Sequence, residues 1–302
     1  MNQSRREFMK TGSASVLAGA ALLHSNAAQA PSLKLPLGLQ LYSVREYLPT
    51  DYDGTLKALG ALGYREVEAA GFYNHSVAEV RQAMDKANLK LVSSHYSLGD
   101  LQKQLDSILA FHHELGVGHI ICSFPGFKDP SRLKNIAPKD RIHAYTLEDW
   151  RWNAEQFNAI GEKVNAAGMR FGYHNHFMEF KETEGAIPLV ELIQHTDPAK
   201  VTIEMDCGWV VVGGGDPVEY LRKFPKRISM LHVKDFKRSA DPAAEPVPAE
   251  LGQGWIDYRP VFAEAAKGGN IEHIFVEQEA FDIPWMQSLK VDADYMRQLG
   301  AS

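Results

Sequence analysis

From Leu37 to the end of the chain, short apolar runs alternate with longer stretches of helical period, and this alternation constrains the fold more than any other feature. The runs lie at 37–42, 64–68, 89–95, 119–123, 169–174, 201–206, 228–233 and 274–277. Between them are helix start and stop signals: Ser76 with Glu79 as a capping box, Thr146 before an acidic first turn, Asp216-Pro217 as cap and first-turn proline, and Gly63, Gly116 and Gly168 past helix ends. A last helix is predicted over about 288–299. Eight strand-then-helix units predict a single-domain α/β fold, the (β/α)8 barrel, for which about 250 residues is typical. An open doubly wound sheet would place a glycine-rich turn after its first strand, whereas Ser43-Val44-Arg45-Glu46 follows here.

The 302 residues exceed that size by an N-terminal stretch of different character. Ser4-Arg5-Arg6-Glu7-Phe8-Met9-Lys10 precedes an uncharged run of small and apolar residues, then Ala28-Gln29-Ala30. The pattern resembles a twin-arginine signal peptide over residues 1–30, with Met9 where leucine is usual. It predicts export through the twin-arginine translocase, a periplasmic location, a barrel over 31–302, and no stable membrane anchor after cleavage. Removing three cations (Arg5, Arg6, Lys10) and one anion (Glu7) takes the formal charge from −6 to −8. That acidity opposes a nucleic-acid partner, whose binding domains usually carry a basic surplus. Cys122 and Cys207 lie in apolar strand-like runs and read as two buried free thiols.

In a barrel of this kind, polar residues at the C-terminal ends of strands form the site, and the two-residue alternation of a strand decides which of them face inward. The alternation turns Glu204 and Asp206, His232 and Lys234, His174 and His176, and Glu277 toward the lumen, with Glu179 in the loop just beyond. Gln40, Glu68 and His95 on the first three strands face the same pocket. So many carboxylates beside imidazoles suit one divalent ion, Mn²⁺, Co²⁺, Zn²⁺ or Mg²⁺, since burying them without a cation is costly. Glu204, two residues before Asp206, lies one layer deeper and reads as an ion-pair partner. Lys234 is placed to hold a substrate oxygen. Tyr42, Phe127, Trp209, Phe236, Trp255 and Trp285 fall in or beside strand-end loops, where aromatic faces suit the apolar face of a ligand.

Six strings carry a more specific resemblance: Gly-Leu-Gln-Leu-Tyr-Ser-Val-Arg (38–45), Tyr-His-Asn-His-Phe-Met-Glu-Phe (173–180), Glu-Met-Asp-Cys-Gly-Trp (204–209), His-Val-Lys-Asp (232–235), Leu-Gly-Gln-Gly-Trp-Ile-Asp (251–257) and Val-Glu-Gln-Glu (276–279). In this order they resemble the xylose isomerase-like sugar phosphate isomerase/epimerase family. The resemblance implies a TIM barrel with one divalent metal held by residues of the fifth to eighth strands. Asp206, His232 and Glu277 carry over directly. Where many relatives have a glutamate at the end of the fifth strand this chain has histidines, so Glu179 is the expected fourth ligand and His176 the alternative.

The chemistry expected of such a site is proton abstraction beside a carbonyl. Glu179 and Glu277 would share metal binding with proton transfer, His174 or His176 would be a further acid or base, and Gln40, Glu68, His95, Trp209 and Lys234 would contact substrate. Returning the proton gives an isomerase or epimerase, the main expectation. Expelling a β-oxygen gives a lyase or hydratase of 3-keto sugars, the alternative. A glycine-rich phosphate loop with basic residues is missing from the sequence, which points to an unphosphorylated sugar. A non-catalytic sugar-binding protein would keep the pocket without the metal set. A second subunit of the same chain is a further possible partner.

Overall fold

The computed structural model describes residues 33–239 and 244–302. The signal peptide expected at 1–30 therefore lies outside the described residues, as does part of the Pro-rich connection after the seventh strand. Strands β1 (Leu37–Gln40), β2 (Glu66–Ala69), β3 (Lys90–Ser97), β4 (His119–Phe124), β5 (Arg170–His174), β6 (Thr202–Asp206), β7 (Ile228–Val233) and β8 (His273–Val276) close into a barrel in chain order, each parallel to its neighbours. Around it run helices α1 (Tyr52–Leu62), α2 (Val77–Ala87), α3 (Leu98–Leu115), α4 (Leu147–Ala166), α5 (Pro188–His195), α6 (Cys207–Val212), α7 (Pro217–Lys223), α8 (Tyr258–Gly268) and α9 (Trp285–Gln298). No helix among the described residues is long and apolar enough to cross a membrane.

The predicted caps form. Ser76 and Glu79 close a reciprocal capping box at α2, and Thr146 does the same with Asp149 at α4. Gly63 and Gly116 end α1 and α3 in the left-handed region, at φ 96° and 76°, where a side chain would be strained. Two elements differ from the sequence reading. The first strand stops at Gln40, because the Gln40 side chain accepts a hydrogen bond from the Tyr42 amide and turns the chain into a 3₁₀ segment. After β6, Asp206 accepts from the Trp209 amide at 2.8 Å and starts α6, a short helix that the apolar run at 209–212 did not signal. Both cysteines are buried free thiols, as expected.

The barrel has two apolar regions. The larger lies between strands and helices and includes Trp150, Phe157, Phe171 and Tyr173. The smaller, Val92, Ile121, Met230 and Phe275, fills the middle of the lumen. Two inward glycines make room for it: a Cβ on Gly38 would fall 2.7 Å from the Phe275 ring, and one on Gly172 would fall 2.8 Å from Ile121. This plug divides the lumen into an upper compartment at the strands' C-terminal ends and a lower one at their N-terminal ends.

Asp292 on α9 is a buried carboxyl on the outside of the barrel. It accepts from the Leu251 amide at 2.7 Å, while its other oxygen has no hydrogen-bond partner. Burial, with Glu250 and Asp235 nearby, pushes its pKa up from 3.8 to about 7. The folded state thus holds a proton that the unfolded chain has lost. Stability from this group is present below pH 3.8 and is lost as pH rises to about 7, by at most about 1.4 kcal/mol per unit. Asp292→Asn keeps the acceptor without the charge. Its melting temperature relative to the parent should therefore rise between pH 5 and pH 8, and an unchanged difference would refute this assignment.

Candidate active site

The upper compartment is lined by charge. Glu68, Glu204, Asp206 and Glu277 are all buried, as are His174, His232 and Lys234. Alternation along β6, β7 and β8 points these side chains inward, as the sequence predicts. The deepest layer is a carboxylate–imidazole cluster. Glu68 accepts from Gln40 and Ser93 at 2.8 and 2.6 Å and meets His232 Nε2 at 2.8 Å. Glu204 meets His95 Nε2 at 2.7 Å and His174 Nδ1 at 3.0 Å. The imidazoles pack together, with the His95 and His232 rings stacked at 5.4 Å and His174 4.5 Å from His232.

One layer above, His174, Asp206, His232 and Glu277 bring one ligand atom each to within 4.8 Å of one another. Glu277 reaches His232 Nδ1 at 2.9 Å. Asp206 Oδ2 is buried and has no hydrogen bond, although the Lys234 ammonium ion-pairs with it at 3.0 Å. Two carboxylates and two imidazoles, one oxygen unsatisfied, form a donor set that a divalent cation fits. Lys234 also ion-pairs with Glu277 at 2.9 Å and Glu279 at 2.6 Å, and its charge lies 5.0 Å from the Trp209 ring.

Glu179 is not part of this group. Its carboxylate accepts from the Tyr173 hydroxyl and from the His176 amide at 3.1 Å. Tyr173 faces the helices and packs on Phe157, so it draws Glu179 away from the lumen. Among the described residues this grouping has His174, which alternation already turned inward, in the place expected for Glu179 or else His176. Gln40 and Glu68, expected to touch substrate, sit in the deepest layer away from the cavity wall, where Gln40 holds Glu68 and Glu68 orients His232.

A cavity of about 550 Å³ opens above the cluster. His95, His174, His176, Trp209, Glu277 and Tyr42 line it, together with Tyr96, Asp100, Phe124 and Glu279. Among the aromatic expectations only Tyr42 and Trp209 reach it. Phe127 stacks on Tyr145, Trp285 packs on Tyr47, Phe236 is buried behind Trp209, and Trp255 faces a separate groove beside α9.

Environment separates the histidines. Burial works against the charge of His95, but Glu68 and Glu204 together outweigh it and lift the pKa to about 9. Burial, reinforced by Lys234, pushes His176 down to about 3. His174 is also held well below the usual range by burial and by neighbouring His232. Burial raises Glu179 to about 7 despite its hydrogen bonds.

Three positioning residues escaped the sequence reading. Asp235 accepts from the amides of Phe236, Gly252, Gly254, Trp255 and Ile256 at 2.9–3.2 Å and so fixes the loop after the Asp235–Phe236/Pro248–Ala249 ribbon. Gly254 is required there, since a Cβ would lie 2.1 Å from the Asp235 carboxylate. Asn175 clamps β5 to β6 through the Asp206 amide and carbonyl, at 3.1 and 3.2 Å. Tyr258 hydrogen-bonds both the amide and the carbonyl of Lys234. Asn175 and Asp235 had a signal, since each lies in one of the six strings; Tyr258 had none.

Residues 56–299 match the family described as xylose isomerase-like TIM barrel. The chain belongs to that family. It is 24% identical over 247 residues to an inosose dehydratase of Lacticaseibacillus casei, covering 76% of this chain and 82% of that one. A sugar phosphate isomerase/epimerase structure from Parabacteroides distasonis is 26% identical, with a TM-score of 0.71 over 86% of this chain and 97% of that one. The IolI protein, solved with a bound zinc atom, shares the fold at a TM-score of 0.68 and 12% identity, over 88% of this chain and 98% of that one.

The ligand assignment has a direct check. After loading with Mn²⁺ and removal of free ion, His174→Ala should hold one ion fewer than the parent by elemental analysis, and Glu179→Gln as many as the parent. The reverse pattern would restore Glu179 as the ligand.

Proposed function

We propose that this chain is a divalent-metal-dependent lyase that removes water from an unphosphorylated keto-cyclitol or 3-keto sugar. The observation that carries the reading is the pair of histidines in one cavity whose environments drive them apart, His176 toward the neutral form and His95 toward the cation. Removing water needs both a proton acceptor and a proton donor. The similarity to inosose dehydratases supports this outcome over isomerisation.

His174, Asp206, His232 and Glu277 would hold the ion, and two imidazoles in the set favour Mn²⁺, Co²⁺ or Zn²⁺ over Mg²⁺. When bound, the ion supplies Lewis-acid polarisation of a substrate carbonyl. His176, unprotonated and on the cavity wall, takes the proton from the carbon next to the carbonyl. Negative charge developing on the substrate beside it raises its basicity at that moment. Lys234, kept protonated by Asp206, Glu277 and Glu279, places fixed positive charge next to the developing enolate. His95 gives its proton to the β-hydroxyl as the C–O bond breaks, so one water leaves and a conjugated enone or its tautomer remains. Trp209 and Tyr42 offer apolar faces to the ring.

Among the described residues no arginine or lysine lines the cavity, and Lys234 is already triply ion-paired, which favours an uncharged substrate. The likeness to a sugar phosphate isomerase/epimerase supports a second reading in which the same abstraction ends with the proton returned to carbon.

A panel of keto-cyclitols and 3-keto sugars, followed by NMR in D₂O with and without chelator, separates the two. Metal-dependent loss of water is expected, and His176→Asn should lower its kcat by about 10²–10⁴-fold while metal content stays stoichiometric. Metal-dependent exchange of C–H for C–D without water loss would favour the isomerase or epimerase, and neither would contradict catalysis of this class.

A further inference from the structure

The lower compartment holds a second group of ligating side chains that the reaction does not use. His119 begins β4 and His273 begins β8, strands on opposite sides of the ring. Their imidazoles nevertheless approach to 5.3 Å between centroids, so both project into the lumen from across the barrel. Glu272, just before β8, brings its Oε2 to 3.5 Å from His119 Nε2. One ligand atom from each of the three lies within 4.8 Å of the others. The apolar plug separates them from the upper site: Phe275 stacks on His273 on one side and meets His232 on the other.

The His119 side chain is only 9% exposed; its ring lies beside the Val92 backbone, and neither ring nitrogen makes a hydrogen bond of good geometry. A buried imidazole in that condition normally finds a partner, so its unused nitrogen is an observation in its own right. The surroundings also match what metal-ligating residues show. The His273 Nδ1 meets the Glu66 carboxylate at 2.6 Å, which orients the ring and leaves Nε2 for an ion. Arg170 takes the other oxygen of Glu272, leaving Oε2 turned toward His119.

We propose that His119, His273 and Glu272 bind a divalent transition-metal ion at the N-terminal mouth of the barrel, separately from the upper site. Two imidazoles and one carboxylate suit Zn²⁺ or Co²⁺ better than Mg²⁺, and three protein ligands leave a fourth position for water. The ion joins β4 to β8 across the barrel floor, where no backbone hydrogen bond can do so.

The test is a Zn²⁺ titration of the metal-free chain, read as bound ions per chain by native mass spectrometry. Two ions are expected for the parent, and one each for His119→Gln and Glu272→Gln. Glu66→Gln should weaken one of the two affinities by about 10–100-fold. His232→Gln should still bind the lower ion, which keeps this result independent of the upper site. If His119→Gln and Glu272→Gln bind as many ions as the parent, the proposal is wrong. Should those variants fail to fold, zinc-edge anomalous scattering from parent crystals decides: a peak between His119 and His273 supports the site, and its absence at saturating zinc overturns it.

Discussion

Four carboxylates, Glu68, Glu204, Asp206 and Glu277, are buried within one end of a barrel lumen, and the rest of the upper compartment follows from the need to balance them. Burial alone would protonate such groups. Glu204 and Glu277 are instead held well below the ordinary carboxylate range, because His232, His95 and Lys234 are packed against them. Asp206 is the exception: burial and the neighbouring Glu277 raise it even with Lys234 at its side. Lys234 and the imidazoles therefore leave part of the charge at the Asp206–Glu277 rim uncompensated, where a divalent cation fits.

The scaffold serves this arrangement at several levels. The plug of Val92, Ile121, Met230 and Phe275 closes the lumen below the cluster, so the charges face one another and the cavity rather than a water-filled channel. Asn175 fixes the height of Asp206, Tyr258 that of Lys234, and Asp235 gathers five amides to hold the adjoining loop. Such polar contacts lock ligand positions more sharply than apolar packing does, because each has one satisfying geometry.

Much of this was legible in the sequence. Period-two alternation is a property of the backbone, so Glu204, Asp206, His232 and Glu277 read inward from the chain alone and are found inward. The helix caps were equally legible, being local pairs three residues apart. The side chain in the loop was not. The direction of Glu179 is set by Tyr173, a residue on the other face of the barrel wall, and no local pattern encodes that partnership. Four of the six aromatic expectations failed for a related reason, since position near a strand end does not say whether a ring turns to the cavity or to neighbouring loops. The 3₁₀ turn at Gln40 and the helix started by Asp206 show side chains capping the backbone inside strings that otherwise read as strand.

Calorimetric melting of the metal-free chain, with and without a divalent ion, tests the charge-balance account most directly. At a free concentration of 100 times Kd the ion should raise the melting temperature by about 5–10 °C. Asp206→Asn, which removes the one carboxylate whose charge the fold disfavours, should melt above the metal-free parent and gain less from the ion than the parent does. A parent chain whose melting is indifferent to Mn²⁺, Co²⁺ and Zn²⁺ alike would contradict the account.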